Sequence, residues 1–194
     1  MEFYKMSKDF KYKDLEYARG ADWEGIICPR YKGHQRAGQR IGNLRINIKS
    51  KKRSDFLTTF LSEWIITDKV ASIFQENQIK GYELQPVEVC NETLSYSLWE
   101  LIVTGNGGDA HPDSGIHLKS RCKYCNHEVY SAFENGIIVD SNNWDESGIF
   151  TVTGYTRYIL ITERLKKIIE DNKLTGAQII PARELIWPKG VIKP

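Results

Sequence analysis

The sequence predicts an α+β protein in which two related strand-helix-strand halves lie on a largely antiparallel sheet. A zinc-knuckle-like Cys-x-x-Cys turn accompanies them. Three observations carry this prediction. Residues 65–86 (IITDKVASIFQENQIKGYELQP) and 160–181 (LITERLKKIIEDNKLTGAQIIP) align without a gap at an offset of 95. They share Ile66/Ile161, Thr67/Thr162, Asn77/Asn172, Gly81/Gly176 and Pro86/Pro181, and most other positions keep their chemical type. A Cys122-x-x-Cys125 pair precedes the second copy, and Cys28, followed by Tyr31, stands 94 residues before Cys122. Strand-patterned segments outnumber helical ones, and the two repeat helices are the only clear helices.

The elements follow in order. Glu2-Phe3-Tyr4-Lys5-Met6 reads as a first strand, and residues 23–27 lead into Cys28. Residues 29–43, rich in Gly and basic side chains, read as an irregular loop. Leu44-Arg45-Ile46-Asn47-Ile48-Lys49 alternates apolar and polar residues, which is strand periodicity. Trp64-Ile65-Ile66 is a buried strand. Thr67 follows as a helix N-cap, and Asp68 suits the positive end of the helix dipole. Val70, Ile73 and Phe74 share one helical face, Asn77 and Gly81 mark the exit, and Tyr82-Glu83-Leu84-Gln85 is a strand closed by Pro86. The second copy repeats these devices with Thr162, Glu163, Leu165, Ile168, Ile169, Asn172 and Gly176, then a strand before Pro181. Between the copies, residues 98–104 form a strong strand, 105–115 a flexible loop, and 137–139 a further strand. The tail 186–190 docks through Trp187.

At 194 residues the chain predicts one domain built of two pseudo-repeats, approximately 1–90 and 91–194. A hydrophobic fraction of 41% suffices for a core. No run approaches 18 apolar residues, so no membrane span is expected. The N-terminal stretch has no apolar segment of a secretory signal. Four cysteines without an export signal fit the reducing cytoplasm. Net charge is only +2, yet residues 29–53 hold nine Lys or Arg and no Asp or Glu, leaving the rest acidic. Such a segment attracts an acidic protein surface or a phosphate backbone, or is simply a solvated loop and edge strand.

Cys122-Lys123-Tyr124-Cys125-Asn126 has zinc-knuckle spacing, and the duplication brings Cys28 to the same site. Position 31, where a fourth thiolate would stand, is Tyr. Cys28, Cys122 and Cys125 are therefore the candidate ligands of a structural zinc, with His34, His117 and His127 available as the fourth. The alternative is a metal-free turn held by packing. Cys90 fits no pair and reads as a small buried residue. Asp109, His111 and Asp113 share the 105–115 loop, either as a catalytic loop or as a solvated linker. No P-loop, HExxH, GxSxG or GxGxxG motif is present, so the chain is not read as an enzyme. In the basic segment, Tyr31, Arg36, Arg40 and Arg45 are the candidate partner-binding residues, because Tyr and Arg anchor interfaces most often. Trp23 and Trp144 read as packing residues.

These residues together resemble the double-CxxCG motif immunity proteins of bacterial polymorphic toxin systems. The resemblance spans nearly the whole chain. Its carriers are Phe3-Tyr4, Cys28-Pro29, Cys122-x-x-Cys125, Trp144-Asp145 before Ile149-Phe150, and Thr162-Glu163-Arg164 through Gly176 and Pro181. Tyr31 and Asn126 depart from that pattern, at the second cysteine of the first knuckle and at the Gly after the second. The resemblance implies stoichiometric binding and neutralisation of a cognate toxin domain. A nucleic-acid-binding protein with a zinc-ribbon-like module is the alternative.

Overall fold

The computed structural model describes residues 1–13, 15–18, 22–49, 52–60 and 62–187. Lys51 of the basic segment and Pro188, Lys189 and Gly190 of the tail lie outside the described residues. The first half holds β1 (Phe3–Lys8), β2 (Glu16–Tyr17), β3 (Asp22–Ile26), β4 (Arg36–Ile41), β5 (Leu44–Asn47), β6 (Phe56–Thr58), β7 (Trp64–Thr67), α1 (Asp68–Glu76) and β8 (Tyr82–Val89). The second holds β9 (Leu98–Val103), β10 (Leu118–Arg121), β11 (Glu128–Tyr130), β12 (Ile149–Phe150), β13 (Leu160–Thr162), α2 (Glu163–Asp171) and β14 (Ala177–Pro181). A six-stranded sheet has the order β2-β5-β8-β9-β7-β6, and a four-stranded sheet the order β12-β13-β1-β14. Two separate hairpins, β3–β4 and β10–β11, complete the set. Among the described residues, every strand pair is antiparallel except β5 with β8.

The two halves exchange their first strands. β1 lies between β13 and β14, in the sheet of the second half, while β9 lies between β7 and β8, in the sheet of the first. The registers repeat. Phe3, Tyr4 and Lys5 pair with Thr162, Ile161 and Leu160, as Leu98, Trp99 and Glu100 pair with Thr67, Ile66 and Ile65. Tyr4 stands opposite Pro181 as Trp99 stands opposite Pro86. The offset is 95 throughout, so the repeat reaches beyond the aligned segments to an exchanged strand.

A second reciprocal contact locks the exchange. Gly81 and Gly176 have φ of +97° and +96°, a left-handed conformation open to glycine. A Cβ on Gly81 would meet the Ile149 carbonyl oxygen at 2.1 Å, and one on Gly176 the Phe56 carbonyl oxygen at 2.0 Å. Ser147 and Ser54, both buried, stand beside these contacts. Each half thus lays a Ser-x-Φ clip against the helix-exit turn of the other.

Strand alternation then sorts the core. Trp64 and Ile66, Tyr4 and Met6, Leu101 and Ile161 face a central cluster that also takes Val70 and Phe74 from α1 and Leu165 and Ile169 from α2. Their neighbours turn the other way: Ile65 and Leu98 pack with Leu44 and Ile46, and Phe3 and Leu160 pack with Phe133 and Phe150. Trp187 docks on Phe133 and Tyr155, with ring centroids 5.3 and 6.0 Å away.

Several sequence expectations need correction. Residues 29–43 are not a continuous loop, because β4 pairs with β3 and a short 3-10 turn, Lys32–His34, links them. Cross-strand hydrogen bonding there outweighs the weak strand propensity of Arg-Ala-Gly-Gln-Arg. β8 runs through Pro86 to Val89, because the strand changes partner there, from β9 to β5. Residues 137–139 make only an isolated bridge, Ala110 with Val139. Thr162 caps α2 by accepting from the Leu165 amide at 3.3 Å, whereas the buried Thr67 hydroxyl has no hydrogen-bond partner among the described residues. Loop 105–115 is tethered, with its His111 imidazole accepting from the Asp113 amide at the start of a 3-10 turn.

The central cluster makes a quantitative prediction. Phe74 and Ile169 are 0% and 3% exposed. Phe74→Ala and Ile169→Ala should each lose about 2–5 kcal/mol of stability by chemical denaturation, as buried large-to-small changes do.

Candidate metal centre

The two hairpins point their turns at one another. β3 and β4 carry Cys28 and His34 in their connection, and β10 and β11 carry Cys122 and Cys125 in theirs. The second connection is a tight turn in which the Asn126 amide donates to the Cys122 carbonyl at 2.9 Å. Asn126 has φ of +52°, a left-handed conformation that Asn tolerates in place of Gly. In the first connection the 3-10 turn carries the chain past Tyr31 and brings His34 back over the thiols.

Cys28, His34, Cys122 and Cys125 offer one ligand atom each, and the four atoms lie within 4.8 Å of one another. The Cys28 and Cys122 sulfurs are 3.9 Å apart, and Cys125 Sγ is 3.7 Å from His34 Nδ1. Two thiolates bound tetrahedrally to one ion at about 2.3 Å stand about 3.8 Å apart, so this spacing suits a shared metal ion. Of the three histidines that the sequence leaves open as a fourth ligand, His34 is the one in the cluster. His117 is held elsewhere, with Nδ1 3.1 Å from the Gly115 carbonyl oxygen. His127 lies against the His34 ring at 4.7 Å and turns its own carbonyl to the Cys122 amide, but is not in the cluster.

A second layer of groups holds the ligands. The Tyr31 amide donates to Cys28 Sγ at 3.3 Å. Arg36 donates to the Cys125 carbonyl at 3.0 Å, to Cys125 Sγ at 3.7 Å and to the His34 carbonyl at 3.2 Å. One guanidinium therefore clamps a ligand from each half, and such outer contacts orient ligands and support thiolate charge. Burial pushes the Cys28 thiol up, against the lowering influence of the Arg30 and Tyr31 amides. Burial also opposes ionisation of Cys125, but the His127 amide, Arg36, His34 and Cys28 together bring its thiol down to about 6. The cysteines form no disulfide.

The other sequence candidates fall elsewhere. Arg40 pairs with Glu100 through its two terminal guanidinium nitrogens, each side chain 8% exposed, and its guanidinium lies 5.6 Å from the Trp23 ring centre. Arg45 pairs with Glu88 at 3.0 Å in a more open setting. Tyr31 alone of the four stays strongly exposed, at 50%, and meets Tyr124 of the opposite turn at 6.4 Å between ring centres. Sequence reading overlooked Tyr124, although it sits inside the Cys-x-x-Cys spacing as Tyr31 sits at the end of the first. Cys90 is exposed rather than buried, because its position ends β8 with the amide bonded to the Ile46 carbonyl and the thiol turned outward.

No family model matches the chain, and no curated protein matches it.

The thiol acidities give a pH prediction. In protein stripped of metal by chelator, alkylation of Cys125 by iodoacetamide should rise as pH passes about 6, because only the thiolate attacks. Cys28 should require more alkaline solution. Site-resolved mass spectrometry of the alkylated peptides reads both.

Proposed function

We propose that the protein is a non-enzymatic, cytoplasmic immunity protein that neutralises a cognate toxin domain by stoichiometric binding. A structural zinc would join its two halves. The observation that carries this reading is the junction of the two hairpin turns. Four ligand atoms of soft and imidazole type lie within 4.8 Å of one another, the number that would fill a tetrahedral zinc shell and leave no position for substrate. Over that junction stand Tyr31 and Tyr124, 50% and 49% exposed, with exposed Arg30, Lys32 and Lys123 beside them in sequence. Half-exposed tyrosines on a rigid base make effective interface anchors, and surrounding cations speed capture of an acidic surface. Reduced thiols suit a cytoplasmic zinc site. Among the described residues, no helix is long and apolar enough to cross a membrane.

The same rings and cations favour one second reading. Aromatic faces beside lysines and arginines stack unpaired bases, as a zinc-ribbon-like nucleic-acid module would. The two readings differ in salt response and in stoichiometry.

The test is co-expression with the tagged C-terminal domain encoded by the neighbouring upstream gene, scored by co-purification, growth rescue and metal content. The expected result is a 1:1 complex, rescue, and one zinc per chain. Cys122→Ser should lose the zinc, and Tyr31→Ala with Tyr124→Ala should weaken the complex by at least about tenfold, as loss of interface anchors does. Absence of complex and rescue, with nucleic-acid binding that falls steeply with salt, would favour the second reading.

A further inference from the structure

The repeat is broken at one place that opens a cavity. In the second half's helix-exit turn, the clip residue Asp55 fills the space with its carboxylate. The Thr175 amide and hydroxyl both donate to Asp55 Oδ2 at 2.8 Å, and Lys69 Nζ stands 3.3 Å from Oδ1. The Asp55 side chain is only 17% exposed. The corresponding clip residue in the other half is Gly148. The equivalence is fixed by backbone contacts: Thr67 donates to the Asp55 carbonyl as Thr162 donates to the Gly148 carbonyl. Likewise Phe56 donates to the Thr175 carbonyl as Ile149 donates to that of Lys80.

The groups that surround Asp55 have cationic counterparts around Gly148. Lys80 takes the place of Thr175, and Arg164 the place of Lys69. Among the described residues, no acceptor stands opposite the Lys80 amide, the counterpart of the Thr175 amide that Asp55 satisfies. Where the carboxylate is missing, there is a cavity of 530 Å³, lined by Ile79, Lys80, Trp144, Gly148, Glu163 and Arg164 among others.

We propose that this cavity is a carboxylate-binding site, in which a ligand carboxylate takes the position that Asp55 holds in the other half. It accepts from the Lys80 amide and pairs with the Lys80 and Arg164 side chains. Arg164 is already aimed by a bond from Nη2 to the Asn77 carbonyl at 2.6 Å. Trp144 supplies an apolar wall for the body of the ligand.

The acidic residues at the cavity do not oppose this assignment. Asp145 spends its two oxygens on the Ser147 and Asn106 amides, at 3.0 and 2.8 Å. Glu163, in the place of Asp68, is exposed. Glu146 is exposed, where solvent screens it. The ligand class is a carboxylate, either a free small acid or an acidic side chain of a partner. The site uses none of the metal-centre residues and stands independently of the toxin-binding reading.

Amide NMR of the full chain tests the proposal, with sodium acetate, an acetyl-Gly-Asp-Gly-amide peptide, and sodium chloride as the ionic-strength control. The Lys80 amide proton should move downfield saturably with a carboxylate and not with chloride. A response to acetate as strong as to the peptide identifies a free small acid as sufficient, and a response to the peptide alone identifies an acidic side chain. Gly148→Asp should supply the carboxylate internally. Gly148 does not have a left-handed φ, and a Cβ there would meet only the Ile79 side chain closely, at 3.1 Å. In that variant the Lys80 amide should already lie downfield, and the titration should vanish. Lys80→Met with Arg164→Met, two exposed positions, should weaken the response several-fold and serves if Gly148→Asp fails to fold. A Lys80 amide that moves no more with either carboxylate than with chloride overturns the proposal, as does a titration unchanged in Gly148→Asp or in the double variant.

Discussion

Each half of this protein completes its sheet with a strand lent by the other, and the rest of the architecture depends on that exchange. β1 supplies Tyr4 and Met6 to the central core beside Ile161 and Leu165, while β9 supplies Leu101 beside Ile66 and Phe74. Neither half therefore contains its own hydrophobic face. The exchange also sets the position of the hairpins, because β3–β4 and β10–β11 follow the exchanged strands in sequence. Their turns consequently meet, and Cys28 of one half joins Cys122 and Cys125 of the other around one point. The glycines at the helix exits make this close approach possible, since a carbonyl of the opposite clip occupies the space a Cβ would need.

The two copies differ at the hairpin turns and at one helix-exit clip. A duplicated fold needs equivalent residues wherever packing is shared, and the strand registers and clip serines keep that equivalence. The Cys/His cluster departs from it: Tyr31 stands where a thiolate would complete the pair, and His34 enters from the next turn instead. The departure leaves the cluster at four residues and Tyr31 on the surface beside Tyr124. The replacement of Asp55 by Gly148 likewise removes a side chain and leaves cationic groups behind. The helix-exit turn of the second half is filled by a carboxylate from the first, while that of the first half opens a cavity.

The basic segment shows how tertiary context redistributes charge. Read along the chain it is a uniform run of Lys and Arg. In the fold, Arg40 is buried against Glu100, Arg36 serves two metal-site residues, Arg53 pairs with Glu92 and Lys49 with Glu16. A buried Arg–Glu pair offsets its own desolvation only with close geometry, so Arg40 specifies how the hairpin docks on β9. Arg30 and Lys32 stay outward beside the two tyrosines, while Lys52 lies over the Tyr12 ring.

The sequence by itself determined the repeat helices, their glycine exits, the strands around them and three of the four residues of the Cys/His cluster. Those features rest on local periodicity, capping chemistry and short spacings, which a chain carries in its residue order. It left His34 undistinguished from His117 and His127, since only the 3-10 turn between β3 and β4 selects among them. It showed β1 and β9 as strands without revealing that each belongs to the opposite sheet. It marked Cys90 as buried and Arg40 as an outward anchor, and the folded chain turned both around. Pairing partners, side-chain direction at strand ends and charge pairing across about 60 residues of chain, as between Arg40 and Glu100, are long-range properties. Tertiary structure decided them, because hydrogen bonding between strands and desolvation of charge act between segments that residue order keeps far apart.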